Sequence, residues 1–219
     1  MLFETMNIEK VWLRVAALLI SLKVVCAKTV PKQIIQTSKS KELAFGWEEY
    51  RNSLRLVNPD FTFRHFDDAE AFAFIEDHYA NTTLETAYDI ATPILKADLF
   101  RLAAIYKLGG FYMDMDLLGK TSLDPLVEQI NRGSVQAVFP KEWWMSDDAY
   151  RGIFPGLNGP SDPEDHWQVG QYAFAAVPGH PFVRDVLKEA IKRTIHLIST
   201  KRKEDIQDGD ILATTGPHL

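Results

Sequence analysis

Two aspartates one residue apart, Asp114 and Asp116, sit inside the apolar run GGFYMDMDLLG at residues 109–119. Strand alternation would send Phe111, Met113, Met115 and Leu117 to one face and Tyr112, Asp114 and Asp116 to the other. The carboxylates then share a face, with Cα atoms about 7 Å apart at about 3.3 Å per residue. Like charges on a partly desolvated face destabilise each other unless something positive intervenes. A divalent cation does this, and all-oxygen ligands suit Mg²⁺ or Mn²⁺. The alternative is a face that is simply solvated, because D-x-D spacing also arises by chance.

A second charged pair precedes the first. In ILKADLFRLAAIYKL (94–108), stepping 100° per residue puts Lys96 and Lys107 together on a solvent side. Asp98 and Arg101 fall opposite them, flanked by Ile94, Leu102, Ile105 and Leu108, and at three residues apart they are neighbours. Charges on a buried stripe must be paired, yet such a pair is a poor source of stability. One reading is an internal salt bridge that orients the helix. The other is a polar pocket at a strand's end, where open α/β sheets bind ligands. Helix, Gly-Gly turn and acidic strand are contiguous, so both charge pairs can converge on one crevice.

The elements that must position these groups alternate along the chain. QIIQT (33–37) reads as a first strand, followed by a helical stretch through Trp47 and Leu54. Asn58-Pro59-Asp60 is a turn, and FTFRHF (61–66) alternates as a strand does. Asp67 with Glu70 has the form of a capping box. Thr92-Pro93 opens the helix that carries Asp98, and Gly109 ends it. Residues 124–130 read as a short helix, 135–139 as a strand and 140–167 as a long loop. QYAFAAV leads to the turn PGHP, after which Phe182, Val186, Leu187, Ala190 and Ile191 mark an amphipathic helix. ILATT (211–215) is a candidate last strand. Strands alternating with helices imply an α/β fold around a mainly parallel sheet.

With 219 residues, 46% of them hydrophobic, the chain can bury one sizeable core. A net charge of −6 without a basic cluster disfavours a nucleic-acid partner. The single cysteine, Cys26, excludes an intramolecular disulfide framework and a multi-cysteine zinc site. Residues 11–27, VWLRVAALLISLKVVCA, follow Lys10 and contain only a short uninterrupted apolar core. They have the form of a signal peptide cleaved after Ala27, or of a signal anchor that would associate the protein with a membrane. The catalytic domain would then occupy residues 28–219. Asn81-Thr82-Thr83 is an N-glycosylation sequon, consistent with secretory entry.

The block PILKADLFRLAAIYKLGGFYMDMDLL resembles the signature of glycosyltransferase family 32, the sugar-transfer region containing the DXD motif. That group includes fungal outer-chain α-1,6-mannosyltransferases and inositol-phosphoceramide mannosyltransferases. VPKQIIQTSKS, NPDFTFRHFDD, VPGHPF and TTGP extend the resemblance across residues 30–217. It implies a GT-A-type, Rossmann-like fold and a retaining transfer of a hexose, mannose foremost. The donor would be a nucleotide sugar, GDP-mannose ahead of a UDP-hexose, and the acceptor a glycan or glycolipid. Asp114 and Asp116 match the pair that holds Mn²⁺ and, through it, the donor diphosphate. Asp98 and Arg101 match positions that contact the donor sugar and ribose, and Gln36 and Thr37 are candidate nucleotide contacts. A Golgi setting goes with the resemblance.

Lesser candidates are Trp143, Trp144 and Trp167 for stacking on an acceptor sugar, and Asp165, His166 and Gln171 for acceptor contacts. His180 in PGHP has a structural explanation in the helix start at Pro181. The chain stops at TTGPHL, where proteins resembling it continue, so a C-terminally truncated domain is expected; the missing piece is a candidate source of a third metal ligand, with His218 a poor substitute. Two other readings compete. A haloacid-dehalogenase-type phosphohydrolase also uses a strand aspartate pair, but wants Thr or Val where Leu118 stands. A sugar-nucleotide-binding pseudo-enzyme would bind without turnover.

Overall fold

A computed structural model describes residues 29–43, 45–133, 135–144 and 167–215. Strand β1 (Gln33–Thr37) carries Ile34 and Ile35, both fully buried, one on each face. Helices must therefore cover both sides of the sheet, as in strands with continuous apolar runs. Ile35 packs with Leu99, Phe100 and Tyr112 on one side, and Ile34 with Phe61, Phe111 and Ile130 on the other.

The remaining elements are α1 (Trp47–Val57), β2 (Thr62–Phe66), α2 (Asp68–Tyr79), α3 (Thr83–Ile90), α4 (Pro93–Leu108), β3 (Gly110–Met113) and α5 (Asp124–Asn131). They continue with β4 (Ala137–Val138), β5 (Lys141–Trp144), β6 (Trp167–Val169), β7 (Ala173–Ala176), α6 (Pro181–Thr200) and α7 (Asp208–Thr214). The main sheet has the order β2-β1-β3-β7-β4. β1 pairs in parallel with β2 and β3, while β7 is antiparallel to both β3 and β4. Four strands thus run one way and β7 alone opposes them. β5 and β6 form a separate antiparallel pair.

Several expectations need correction. The strand through Asp114 and Asp116 stops at Met113, and Met115-Asp116 is a turn. The 135–139 strand shrinks to Ala137–Val138, and β5 and β6 take the two ends of the expected loop. Residues 211–215 are no strand: Gln207 and Asp210 form a reciprocal cap that starts α7 instead. Phe182 points outward, because the buried stripe of α6 is phased on Val183, Leu187, Ala190 and Ile191. On α4 the roles of Ile94 and Lys96 are exchanged. Ile94 is exposed, while Lys96 is half-buried with its Nζ 5.2 Å from the centroid of the Tyr88 ring of α3.

The Asp67–Glu70 capping box forms in full. Asn81 is exposed at φ 60, between α2 and α3. The leader, Asp165, His166 and His218 lie outside the described residues. Among the described residues no helix is long and apolar enough to cross a membrane.

Candidate active site

Helix α4 delivers its charged pair from inside the core. Pro93 occupies its first turn, where a missing N–H costs nothing, and Gly109 ends it at φ 67. Gly110 follows at φ 96, and a Cβ there would lie 2.5 Å from Cγ of Gln33. Only glycine lets β3 start this close to β1. Gln33 fixes the turn further, its Nε2 donating to the carbonyls of Leu108 (3.2 Å) and Gly109 (2.9 Å). Because α4 runs back against β3, its early turns lie at the carboxyl end of that strand. Asp98 and Arg101 thereby meet Asp114.

The resulting network is continuous. Asp98 receives Thr215 Oγ1 on Oδ2 at 2.6 Å and faces Arg101 Nη2 from Oδ1 at 3.0 Å. Arg101 Nη2 also lies 3.8 Å from Asp114 Oδ1, which accepts the Tyr112 hydroxyl at 2.7 Å. Arg101 Nη1 donates to the Gln171 carbonyl at 3.1 Å, and its guanidinium carbon sits 4.9 Å from the Tyr112 ring centroid. Among the described residues, the buried Nε of Arg101 has no hydrogen-bond partner. Side-chain exposure rises from 9% at Asp98 through 14% at Arg101 to 32% at Asp114, and Asp116 is exposed. The line of charges leads from the core to the surface.

Electrostatics follow from that gradient. Burial pushes the Asp98 carboxyl above its usual range, against the pull of Arg101 and Thr215. Burial does the same to Asp114, opposed by Arg101 and the Tyr112 hydroxyl and reinforced by Asp116. Tyr112 is held well above an ordinary phenol, chiefly by burial. Two carboxylates, Asp98 and Asp114, thus share one guanidinium while Asp116 adds its charge beside Asp114, so among the described residues the site is short of positive charge.

Backbone contacts hold the aspartate turn. Asp114 N–H donates to the Tyr172 carbonyl at 2.8 Å, and buried Met115 anchors the turn between the two carboxylates. Gln36, 1% exposed, reaches the Asp114 carbonyl from beneath with its Nε2 at 3.4 Å. Thr37 Oγ1 donates to the Phe66 carbonyl at 3.1 Å. The structure therefore brings Asp98, Arg101, Asp114 and Gln36 into one hydrogen-bonded group, with Asp116 and Thr37 at its rim.

Among the lesser candidates, Gln171 joins through its carbonyl. Trp144 pairs with Trp167 across β5 and β6. His180 is the residue before α6, its carbonyl accepting from Arg184 N–H at 3.0 Å. Sequence reasoning gave no role to Tyr112 or Thr215. The strand alternation did place Tyr112 on the aspartate face; nothing local ties Thr215 to a residue 117 positions away.

Residues 45–132 match the family described as "Glycosyltransferase sugar-binding region containing DXD motif". The chain is 33% identical over 98 residues to the Saccharomyces cerevisiae mannosyl phosphorylinositol ceramide synthase SUR1, covering 45% of this chain and 25% of that protein. It is 26% identical over 210 residues to the Candida albicans initiation-specific alpha-1,6-mannosyltransferase, covering 88% of this chain and 52% of that protein. The chain thus spans about half or less of the length of these relatives. Among solved structures, PaToxG glycosyltransferase superposes with a TM-score of 0.51 at 14% identity, over 97% of this chain and 77% of that one. The ligand-free glycosyltransferase domain of the YGT toxin gives 0.50 at 11% identity, over 86% and 67%. The fold is accordingly of the GT-A type, and Asp98, Arg101, Asp114 and Asp116 all lie within the segment that matches the DXD-containing sugar-binding region.

Proposed function

We propose that the chain is the donor-binding part of a retaining glycosyltransferase that moves a hexose, mannose foremost, from a nucleotide sugar to a glycan or glycolipid acceptor. The observation that carries this reading is the network Thr215–Asp98–Arg101–Asp114–Tyr112 opening onto exposed Asp116 at the carboxyl end of β3. Ligands of open α/β sheets bind at such ends.

A divalent cation fits the donor set. Asp114 and Asp116 offer hard oxygens in a site short of positive charge, and Asp114 Oδ2 is not engaged by any hydrogen bond or ion pair among the described residues. The described residues hold no cluster of three His, Cys, Asp or Glu that could bind a metal. Two carboxylates with diphosphate oxygens and water would complete the shell, the usual arrangement for Mg²⁺ and Mn²⁺ at phosphates. When bound, the cation would supply neutralisation of the departing diphosphate.

The chain's own residues do the rest. Tyr112 and Arg101 hold Asp114 in place, and Asp98 orients Arg101 from behind. Arg101 presents fixed positive charge to the donor, a preorganised arrangement that costs no rearrangement during reaction. No side chain is nominated as a nucleophile.

GDP-mannose is the donor proposed first and a UDP-hexose second. We also place the protein in the secretory pathway, in the Golgi, with the leader as a possible membrane attachment; exposed Asn81 is compatible with glycosylation there. A loss of mass on deglycosylation after expression in a eukaryotic host is the expected check. Turnover is tested with a nucleotide-sugar panel scored for released nucleotide, with and without Mn²⁺. Release from GDP-mannose that needs the metal supports the reading. Binding without any release identifies a non-catalytic sugar-nucleotide binder instead.

A further inference from the structure

We propose that a cavity beside Thr37 is a nucleobase site that selects guanine, with Asp68 and Lys96 reading the edge of the base. This rests on the donor-site reading above and adds the residues that choose the nucleotide. The cavity has a volume of about 240 Å³, and its lining includes Thr37, Asp68, Phe72, Tyr88, Lys96 and Ala97.

Its position follows from the sheet. The parallel register pairs Ile35 with Tyr112, so two residues on, Thr37 lies alongside Asp114 at the ends of adjacent strands. Ala97 immediately precedes Asp98. A diphosphate held at the aspartates therefore leaves its nucleoside beside this cavity.

The walls suit a planar base. Phe72 of α2 is 39% exposed, a large ring left open to solvent on the lining. Tyr88 is buried, and Lys96 crosses its ring, which fixes where the ammonium lies. Stacking and cation–π contacts on such rings are favourable. Burial, with the charge of Asp68 added, holds the Tyr88 phenol up at about 12, so it remains a neutral hydroxyl.

Chemistry then separates the bases. Guanine presents two adjacent N–H donor groups, N1 and the 2-amino group, next to the O6 acceptor. A carboxylate accepts both donors, and an ammonium donates to O6. Uracil offers one N–H between two carbonyls, so a carboxylate there would meet an oxygen. Among the described residues Asp68 makes no ion pair, and the Lys96 ammonium has only its ring contact. Asp68 is not needed to cap α2, since Asp67 does that.

The test is calorimetry on the full chain with Mn²⁺ and the diphosphates of guanosine, inosine, xanthosine and uridine. GDP should bind tightest, and UDP roughly tenfold to a hundredfold more weakly, the usual value of a bidentate base contact. The inosine compound, lacking the 2-amino group, should fall between them. Asp68→Asn should turn the preference from guanosine to xanthosine diphosphate, because an amide can donate to the 2-oxo group. Lys96→Met should weaken GDP. Melts of both variants check that they fold. Equal affinity for all four diphosphates, or an unchanged guanosine-to-xanthosine ratio in Asp68→Asn, overturns the base assignment while leaving the diphosphate site intact. No binding by any of them overturns both.

Discussion

Replacing Arg101 with Met isolates what the central guanidinium does. The change strands Asp98, whose side chain is 9% exposed, with Thr215 as its remaining partner, and leaves Asp114 with the Tyr112 hydroxyl. It also removes the bond to the Gln171 carbonyl and the contact over the Tyr112 ring. Breaking a buried pair by deleting one partner costs about 3–5 kcal/mol. For a domain of this size that lowers the melting temperature by about 6–20 °C. The sequence left open a solvated pocket in which this cost would be small; the burial at Asp98 argues for the larger figure. Adding Asp98→Asn removes the stranded charge while keeping an acceptor for Thr215, so the double variant should recover part of the loss. Diphosphate affinity should stay low in both variants, because the positive charge facing the donor is gone. Scanning calorimetry beside titration calorimetry reads the two effects separately. A double variant that melts higher than Arg101→Met and binds the donor like the unchanged protein would show that the pair is structural only.

Three further outcomes are expected. Thr215→Val should weaken donor binding and Thr215→Ser should restore it, since the serine hydroxyl can still reach Asp98; equal binding by both variants would remove Thr215 from the site. Gly110→Ala should cost about 1–3 kcal/mol in a chemical denaturation, because its φ of 96° is strained for any side chain and the added Cβ meets Gln33. A midpoint unchanged from the parent would contradict this. Burial, then the charges of Lys41 and Arg51, hold His65 below its usual range. The unfolded chain therefore takes up that proton first as pH falls, so the contribution of His65 is intact above about pH 6.5 and is lost below it. Melts from pH 8 to 5 should fall less steeply for His65→Gln than for the parent, and a steeper fall would reverse the sign.

Local chemistry made much of the fold legible. Pro93 and Gly109 bracket α4, Asp67 and Glu70 cap α2, and the apolar run of β1 announces a strand covered on both faces. Both charge pairs were readable because helix, glycine turn and aspartates follow each other without interruption. Long-range packing hid the rest. The strand pattern of GFYMDMDL continues past Met113, but β3 loses its ladder there and the chain turns. Lys96 looks solvent-facing on a lone helix and becomes a cavity wall only when α3 packs beside it. The bond from Thr215 to Asp98 closes a loop of more than a hundred residues, which no spacing rule anticipates.

Asp114 and Asp116 are proposed to hold a nucleoside diphosphate through a divalent cation. Titration of GDP into the protein with Mn²⁺, then after chelation, tests it most directly, with Asp114→Asn and Asp116→Asn alongside. Binding that needs the metal and is weakened in both variants is the predicted result. The same affinity after chelation, or in either variant, would contradict the account.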